Sequence, residues 1–443
     1  MSATLQLPPS KHSLSPPSPL VEERPTSQSN KADVLIVGAG ILGCALAVTF
    51  ARQGRSVVLL EKSLKEPDRI VGELLQPGGV QALKELGLRH CLEEIDAIPV
   101  KGFGVFYYDE KVEMPYTSES DSTDNPSLEG RSFHHGRFIR RLREACICEP
   151  NVSVVETTVT STITSPTTKR ILGVETMRPT EKPYNYYASL NVIADGYASK
   201  FRKQHHPHAV TTKSRFWGVE LIDAELPFPL HGHVILGDGS PILLYQIGTH
   251  ETRALIDVPA NLASGSLAEG GIQSYLRTRV TPALPRSVQS SFTTALEKGK
   301  LRSMPNSFLP PSTNTTPGLV MLGDAMNMRH PLTGGGMTVA FNDVVLLREL
   351  LSPSIVPDLT DTSTVLKQMS RFHWRRKNLT GIINISAQGL YPLFAADGKR
   401  DSLAPSSSRS STLIHHRNQI PTSALFKKAV SATSNSGAAT LPV

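Results

Sequence analysis

The chain has 443 residues, 39% hydrophobic and 19% charged, so it is long enough for two or three domains and apolar enough to bury a core. This composition excludes a fully disordered, collagen-like or coiled-coil protein. Of the formal net charge of +7, residues 399–443 carry +5; residues 1–30 are neutral, so residues 31–398 carry only +2. A nucleic-acid-binding face is therefore not predicted.

The four cysteines do not form a recognisable disulfide or metal pattern. Cys44, Cys91, Cys146 and Cys148 are too few for a disulfide scaffold and suit a reducing compartment or one that faces it. The closest pair, Cys146 and Cys148, is separated by one residue, and no other cysteine or histidine pair has zinc-binding spacing. No metal site is predicted.

The two ends of the chain differ from its body. Residues 1–30 hold six prolines and lack the apolar run of a signal peptide, and residues 399–443 are rich in serine. We expect both segments to be disordered. The apolar stretch from Val34 to Phe50 is slightly short for a membrane span and contains three glycines, so it is interpreted as a strand, a turn and a buried helix.

The body opens with a strand–helix–strand pattern. A β-branched run at Asp33–Val37 precedes helical spacing at Ile41–Arg52 and a second apolar run at Ser56–Glu61. Further strands are predicted at Val152–Val155 and Leu190–Ala194. This pattern is typical of an α/β fold.

Residues 216–258 follow a different pattern, in which short strands are separated by turn-like segments at 237–240 and 248–251. The predicted strands are Phe216–Ile222, His233–Leu236, Ile242–Ile247 and Thr252–Val258. They indicate an antiparallel sheet inserted in the α/β chain. A strand at Leu319–Leu322 and a helix at Gly334–Leu351 follow it.

The segment Gly38-Ala39-Gly40-Ile41-Leu42-Gly43 is a GxGxxG motif between the first strand and the first helix. In this motif Gly38 permits the tight turn, Gly40 lets the backbone approach a pyrophosphate, and Gly43 lets the helix pack closely. The helix N-terminus then faces the negative charge. Glu61 ends the next strand, 18 residues after Gly43, where a carboxylate binds ribose hydroxyls. The pattern predicts dinucleotide binding.

Later glycine turns favour FAD over NAD as this dinucleotide. Gly323-Asp324 follows a strand, Gly334-Gly335-Gly336 opens the long helix after it, and Asp195-Gly196 is a third such turn. A carboxylate at a strand end can hold the ribityl chain of a flavin, and a helix N-terminus can stabilise the charge of its reduced ring. A nicotinamide enzyme needs no such second site. Because the chain has a single GxGxxG motif, no separate NAD(P)H domain is predicted.

Four motifs resemble those of the squalene epoxidases, also called squalene monooxygenases. They begin at Asp68 (DRIVGELLQPGG), Phe133 (FHHGRF), Leu301 (LRSMP) and Gly323 (GDAMNMRHPLTGGGM), and the resemblance runs from about residue 32 to about residue 398. It implies a Rossmann-like FAD-binding domain of the flavin-dependent monooxygenase type, with an inserted antiparallel sheet that binds substrate. It also implies epoxidation of squalene by O2 to (S)-2,3-oxidosqualene for sterol synthesis. Electrons would come from NADPH through a separate diflavin reductase, at the cytoplasmic face of the endoplasmic reticulum membrane.

The resemblance further implies which residues contact the cofactor. The FAD contacts would be Ile41, Leu42, Glu61, Lys62, Arg69, Leu74, Arg137, Val159, Asp324 and Met337. Tyr245 and Gln76 correspond to a hydrogen-bonded pair that orients the reactive flavin and influences inhibitor binding. The flavin performs the oxygen chemistry in such a site, so no Ser/His/Asp or paired-carboxylate constellation is needed.

Several of these residues also have plain structural interpretations. Arg69 and Arg137 suit any carboxylate as well as a pyrophosphate, and Tyr245 on an apolar strand can be a core residue. Three histidines are expected in a solvated loop rather than at a metal, namely His205, His206 and His208. The basic residues around Trp374 either form a helix face near anionic lipid or are merely solvated; they are Arg371, Arg375, Arg376 and Lys377.

The predicted organisation is a leader (1–30), a discontinuous FAD-binding domain (31–200 and 301–352), a substrate-binding sheet domain (201–300), a helical region (353–398) and a tail (399–443). After Gly398 the sequence departs from the family, in which amphipathic and hydrophobic membrane helices follow. This departure puts membrane attachment in question. Two alternatives stay open: a related hydroxylase with another hydrophobic or aromatic substrate, and an inactive flavin-binding paralogue.

Overall fold

The structure is a computed structural model that describes residues 31–108, 110–116, 128–177, 183–237, 241–260 and 270–377. Its strands, in chain order, are β1 (Lys31–Val37), β2 (Val57–Glu61), β3 (Leu74–Leu75), β4 (Ile98–Val100), β5 (Gly102–Tyr107), β6 (Glu110–Pro115), β7 (Gly130–Ser132), β8 (Val152–Glu156), β9 (Thr158–Thr164), β10 (Ile171–Met177), β11 (Tyr184–Ile193), β12 (Thr211–Ile222), β13 (His231–Leu236), β14 (Ile242–Gln246), β15 (Glu251–Pro259), β16 (Arg302–Phe308) and β17 (Leu319–Met321). Its helices are α1 (Ile41–Arg52), α2 (Pro77–Glu85), α3 (His135–Ile147), α4 (Arg202–His205), α5 (Gly271–Tyr275), α6 (Arg286–Glu297), α7 (Gly336–Leu350) and α8 (362–377).

The first sheet has the strand order β8-β2-β1-β11-β10-β9, and β17 also pairs with β11. Strands β8, β2, β1, β11 and β17 are parallel, whereas β10 is antiparallel to both of its neighbours. Parallel strands buried on both faces are near-continuous apolar runs, and Val34, Leu35 and Ile36 of β1 are fully buried. The carboxyl ends of the parallel strands meet at one edge, where their loops can form a binding site.

The second sheet has seven strands in the order β16-β12-β15-β14-β13-β5-β6. Its neighbours are antiparallel except for β13 and β5, which are parallel. Strands from 102–115 and 302–308 join this sheet, although both segments were predicted to belong to the FAD-binding domain. Long-range pairing decides which sheet a strand joins, and no local pattern reports it. The predicted division at residues 200 and 300 therefore does not follow the two sheets.

The two faces of the second sheet have different partners, because successive side chains of a strand point to opposite faces. Leu244 of β14 belongs to an apolar cluster with Phe292 of α6. Leu243 and Tyr245 of the same strand belong to a second cluster, which also contains Leu74 of β3. This second face is thus turned toward the loops of the first sheet. The space between them is the cleft described below.

The predicted mixed α/β fold with a second, mainly antiparallel sheet is confirmed. Helix α1 has the predicted bounds, whereas β11 begins at Tyr184, before the predicted Leu190, and β12 at Thr211, before the predicted Phe216. Residues 238–240 of a predicted turn, the leader 1–30 and everything from 378 onward lie outside the described residues. Across the described ranges, no helix is both long and apolar enough to cross a membrane.

Candidate active site

The turn after β1 and the first turn of α1 contain two glycines, Gly38 and Gly43, at which the surrounding backbone leaves no space for a side chain. Gly38 has φ = +105°, and a Cβ atom there would lie 2.6 Å from the carbonyl oxygen of Ala194. A Cβ atom at Gly43 would collide with the carbonyl oxygen of Gly38. At Gly40, by contrast, a Cβ atom would meet open space. The N-terminus of α1 therefore opens onto the cleft, as an anion-binding helix end requires.

Glu61, at the end of β2, braces this turn. Its Oε2 accepts a hydrogen bond of 2.8 Å from the backbone N–H of Ala39, and its Oε1 accepts one of 3.3 Å from that of Ser63. The guanidinium of Arg143, on α3, lies 3.7 Å from Glu61 and donates at 3.0 Å to the carbonyl of Ala39. Sequence reasoning missed Arg143, although a buried arginine on the inner face of an amphipathic helix is unusual enough to be a signal.

A second turn carries Asp324. Gly323 has φ = +61°, and the exposed Asp324 side chain lines the cleft. Arg202 of α4 holds this turn by donating at 3.1 Å to the carbonyl of Ala325 and at 2.9 Å to that of Gly196. It thereby ties the turn after β17 to the turn after β11.

His206 corrects one prediction. It was expected in a solvated loop, but it is buried, and its Nε2 lies 2.8 Å from the carbonyl oxygen of Met326. The chain after α4 packs back onto the Gly323–Met326 turn, and the imidazole satisfies one of its buried carbonyls. Among the described residues, no group of three or more His, Cys, Asp or Glu side chains is arranged to hold a metal ion.

The third glycine segment places the N-terminus of α7 at the same cleft. Gly334 has φ = +62°, and a Cβ atom at Gly336 would meet open space. The preceding loop is fixed by His330, whose Nε2 lies 3.0 Å from Oδ2 of the buried Asp257 on β15. Its Nδ1 accepts a 3.3 Å hydrogen bond from the N–H of Leu332. The histidine thus anchors the loop to the second sheet.

The cleft between the two seven-stranded sheets has a volume of about 1590 Å³, which includes space open to solvent. One wall consists of turns and helix ends, and among its residues are Gly40, Ile41, Leu42, Gly196, Asp324, Gly336 and Met337. The other wall is largely apolar and comes mostly from the second sheet, with Phe103, Leu243, Leu255, Met304 and Leu332 among its residues. One cleft therefore offers a polar backbone surface opposite a hydrocarbon-like one.

A buried ion pair lies beside the apolar wall. Glu73, which lines the cleft, is 1% exposed, and Arg253 of β15 donates to it with Nε at 3.0 Å and Nη2 at 2.9 Å. Tyr245 donates its phenol proton to the same carboxylate over 3.1 Å. Burial, and then the charge of Glu73, hold the pKa of Tyr245 well above its usual value.

The predicted hydrogen bond between Tyr245 and Gln76 is not the one the structure shows. Tyr245 donates to Glu73, and Gln76 accepts instead from the hydroxyl of the buried Tyr116 at 2.5 Å. A carboxylate is the stronger acceptor, since hydrogen bonds to charged groups are about twice as strong as neutral ones. Glu73 therefore engages the only proton that Tyr245 can donate.

Another charged cluster lies at the end of the cleft formed by α7 and α8. Arg376 donates to Asp343 with Nε at 2.8 and 2.9 Å from the two carboxylate oxygens, and to Asn327 at 3.1 Å. Arg329 also donates to Asn327, at 2.7 Å. Burial, and then the Arg376 charge, lower the pKa of Arg329 to about 10, so it stays cationic at neutral pH. Sequence reasoning missed Asp343.

The comparisons with known proteins agree with one another. A family model described as squalene epoxidase matches residues 187–404, and one described as FAD dependent oxidoreductase matches residues 33–67. A squalene epoxidase of Aspergillus fumigatus is 62% identical over 388 residues, which cover 88% of this chain and 80% of the relative. One of Schizosaccharomyces pombe is 44% identical, over 82% of this chain and 78% of the relative. The chain belongs to the squalene epoxidase family.

Solved structures agree with this assignment at the level of the fold. A probable FAD-dependent monooxygenase of Pseudomonas aeruginosa, PqsL, superposes with a TM-score of 0.65 and 20% identity over 84% of this chain and 98% of its own. The flavin-dependent brominase Bmp2 gives a TM-score of 0.69 at 13% identity, over 91% and 94% of the two chains. Identities this low show the fold and carry no conclusion about substrate.

FAD is the cofactor of this family member, as predicted, and the residues present fit it. Two helix N-termini, those of α1 and α7, face one cleft, with open space above Gly40 and Gly336 for a ligand that approaches the backbone. Arg69 supplies a third observation, because its buried Nε has no hydrogen-bond partner among the described residues, although the side chain lines the cleft. An anionic cofactor would supply one.

The structure brings some of the predicted site residues to the cleft and places others around it. Predicted cofactor-binding residues and Tyr245 of the predicted Tyr245–Gln76 pair line the cleft; the cofactor-binding residues are Gly40, Ile41, Leu42, Arg69, Leu74, Asp324 and Met337. Lys62 is exposed, and Val159 is buried in the core of the first sheet. Arg137 lies 3.6 Å from Asp96 and donates weakly to a carbonyl, which matches its interpretation as an ordinary charged side chain. The individual FAD contacts remain predictions.

Proposed function

We propose that this chain epoxidises squalene in the cleft between its two seven-stranded sheets, with FAD along the loops of the first of them. The observation that carries this location is the contrast between the two walls. Squalene contains only carbon and hydrogen, so its binding must come from apolar burial, which the side chains of Phe103, Leu243 and Leu255 offer. The opposite wall, with its glycine turns and Asp324, suits a dinucleotide.

In this reaction one atom of O2 enters a terminal double bond as the epoxide oxygen. The other atom leaves as water after the uptake of two electrons and two protons. Bound FAD supplies the oxygen activation. The chain itself must hold the cofactor, exclude water and seat one end of the substrate against the flavin. Leu74 and Met337, which are buried and line the cleft, are suited to excluding water.

The electrons are proposed to come from NADPH through a separate diflavin reductase. The sequence contains a single GxGxxG motif, and the β1–α1 turn that carries it opens onto the cleft assigned to FAD. A chain with one dinucleotide site is therefore expected to receive electrons from a partner.

The proposed location is the cytoplasmic face of the endoplasmic reticulum membrane, because squalene dissolves in lipid rather than in water. Trp374 on α8 supports a contact with lipid: it is 61% exposed, and the Lys377 ammonium lies 5.0 Å from its ring centre. The basic face around it is smaller than predicted. Arg376 is buried against Asp343, and Arg375 pairs with Glu349 at 2.5 Å.

The proposed epoxidation is tested with the FAD-loaded protein, a diflavin reductase, NADPH, squalene and ¹⁸O2. We expect one ¹⁸O atom in each molecule of oxidosqualene, with no product when the reductase is omitted. If NADPH is consumed and only hydrogen peroxide appears, the chain is not an active squalene epoxidase. A parallel screen of phenols and other aromatic compounds then separates a hydroxylase from an inactive flavoprotein.

The membrane proposal is tested on microsomes of cells that express the chain. Attachment through an interface is reversible, so alkaline carbonate should release the protein. Trp374→Ala should increase the fraction that high salt releases, whereas Tyr187→Ala, at a side chain that is 38% exposed on β11, should not. Resistance to both washes would show a firmer anchor than the one proposed.

A further inference from the structure

Glu73 connects the loop before β3 to the second sheet, beside the cleft. It belongs to the loop before β3, and its backbone carbonyl accepts from the N–H of Phe133 at 2.8 Å. Its side chain reaches the second sheet, where Arg253 and Tyr245 both donate to it. These two residues are direct cross-strand partners on β15 and β14, so the sheet presents both donors to one carboxylate. The geometry of all three is thereby fixed together.

The contact between Tyr245 and Glu73 settles the direction of a hydrogen bond. A phenol has one proton to donate, whereas an ionised carboxylate can only accept. Arg253 donates to both oxygens of Glu73, so this carboxylate is the acceptor of every hydrogen bond in the group. The proton of Tyr245 therefore points at Glu73. Only the lone pairs of the phenol oxygen remain for any other partner.

We propose that Glu73 and Arg253 are positioning residues for the epoxidation, which fix the phenol proton of Tyr245 so that Tyr245 meets a ligand in the cleft only as a hydrogen-bond acceptor. This inference rests on the proposed function. An acceptor selects N–H and O–H groups, and reduced flavin carries more N–H groups than oxidised flavin. The arrangement therefore favours the reduced cofactor beside Tyr245 and disfavours a phenol that donates to the ring.

Arg253 is needed because its guanidinium donates to both oxygens of Glu73 and so fixes the carboxylate opposite the phenol. The outer end of Arg253 also contacts Glu220, at 3.4 Å, whose side chain is 45% exposed. Glu220 therefore offers a matched control: it touches the same guanidinium but does not touch the phenol.

The first test uses the protein without flavin, labelled with ¹³C at the hydroxyl-bearing carbon of its tyrosines, and Tyr245→Phe identifies the signal of Tyr245. We expect Glu73→Gln to shift this signal and Glu220→Gln to leave it in place. Arg253→Lys keeps the charge, so the Tyr245 signal should stay close to its wild-type position. If Glu73→Gln does not fold because its arginine is unpaired, the double variant Glu73→Gln/Arg253→Met removes both charges. Its Tyr245 signal should then move away from the wild-type position as predicted for Glu73→Gln. A Tyr245 signal equal to wild type in the folded Glu73 variants overturns the proposal.

The second test measures hydrogen peroxide formed per NADPH during squalene turnover. Glu73→Gln should raise this ratio several-fold. In a protein that already carries Tyr245→Phe, Glu73→Gln should not raise the ratio further, because Glu73 acts through the tyrosine. A further rise in that background overturns the proposal. Failure of the wild-type chain to make oxidosqualene refutes the proposed function instead, while the tyrosine signal still reports whether Glu73 fixes the proton.

Discussion

The charge of Glu61 can be removed with little change in shape, and Glu61→Gln therefore tests how the glycine turn recognises FAD. In the structure the carboxylate accepts from the backbone N–H groups of Ala39 at 2.8 Å and Ser63 at 3.3 Å. A glutamine retains one acceptor oxygen and replaces the other by an NH2 group, which cannot accept. It also leaves Arg143, 3.7 Å away, without its opposite charge.

The expected loss follows from the difference between charged and neutral hydrogen bonds. A bond to a charged group contributes about 1.5–3 kcal/mol and a neutral one about 0.5–1.5 kcal/mol, so each bond weakened costs about 1 kcal/mol. The turn loses support at Ala39, and the proposed ribose contacts lose one acceptor. We expect FAD binding to weaken by roughly 1–3 kcal/mol, which is about 5- to 150-fold in Kd.

The measurement is a titration of the flavin-free protein with FAD, followed by quenching of flavin fluorescence. Glu156→Gln is the matched control, because Glu156 pairs with Glu61 across β8 and β2 but is exposed, and the one hydrogen bond of its side chain within the described ranges comes from the N–H of Leu64, at 3.3 Å. Thermal unfolding without FAD separates a weakened turn from a weakened fold. A Kd within about twofold of wild type for Glu61→Gln would refute the reasoning and make Glu61 purely structural.

Four further outcomes are expected. Asp324→Ala should lower the ratio of flavin to protein absorbance sharply, and full flavin occupancy would contradict the role of Asp324. Tyr245→Phe should keep FAD bound and divert NADPH into hydrogen peroxide, whereas wild-type rate and coupling would favour a core role alone. Asp343→Asn leaves Arg376 buried without its counter-charge, so the free energy of unfolding in urea should fall by roughly 3–5 kcal/mol, and a loss below about 1 kcal/mol would contradict this. Burial lowers the pKa of His135 to about 4 in the folded chain. Between pH 6.5 and 4 the unfolded chain therefore binds a proton that the folded chain does not, so the free energy of unfolding should fall on acidification. In His135→Gln, which lacks this group, the fall over the same range should be less steep.

The glycine turn was predictable because its chemistry is local. Gly38 and Gly43 are required by backbone contacts within one strand–turn–helix unit, and Glu61 follows at a spacing that the same unit sets. Family motifs extended the prediction to Asp324 and Met337, which the structure places at the cleft. These are the cases in which a short stretch of sequence specifies its own geometry.

The missed residues depend on contacts between distant parts of the chain. Glu73 and Arg253 are 180 residues apart in sequence, and no local sequence pattern around either residue predicts their contact. The same reason explains why no local pattern placed β5 and β6 in the second sheet: β5 pairs with β13, far along the chain, and β6 joins the sheet only through β5. The role of Arg137 stays a prediction, because a carboxylate such as that of Asp96 and a pyrophosphate are equally good partners for a guanidinium.

Two buried charge pairs and one buried histidine–aspartate contact lie beside the cleft, and each fixes a loop or helix. Glu73–Arg253 ties the loop before β3 to β15, and Asp343–Arg376 ties α7 to α8. His330, beside Asp257, holds the loop before α7 to the second sheet. Buried pairs of this kind contribute little net stability compared with well-packed apolar side chains, but breaking one leaves a costly unpaired charge. The structure thus penalises any displacement of these segments, while the charges of Glu73–Arg253 and Asp343–Arg376 neutralise each other beside the wall proposed to bind squalene.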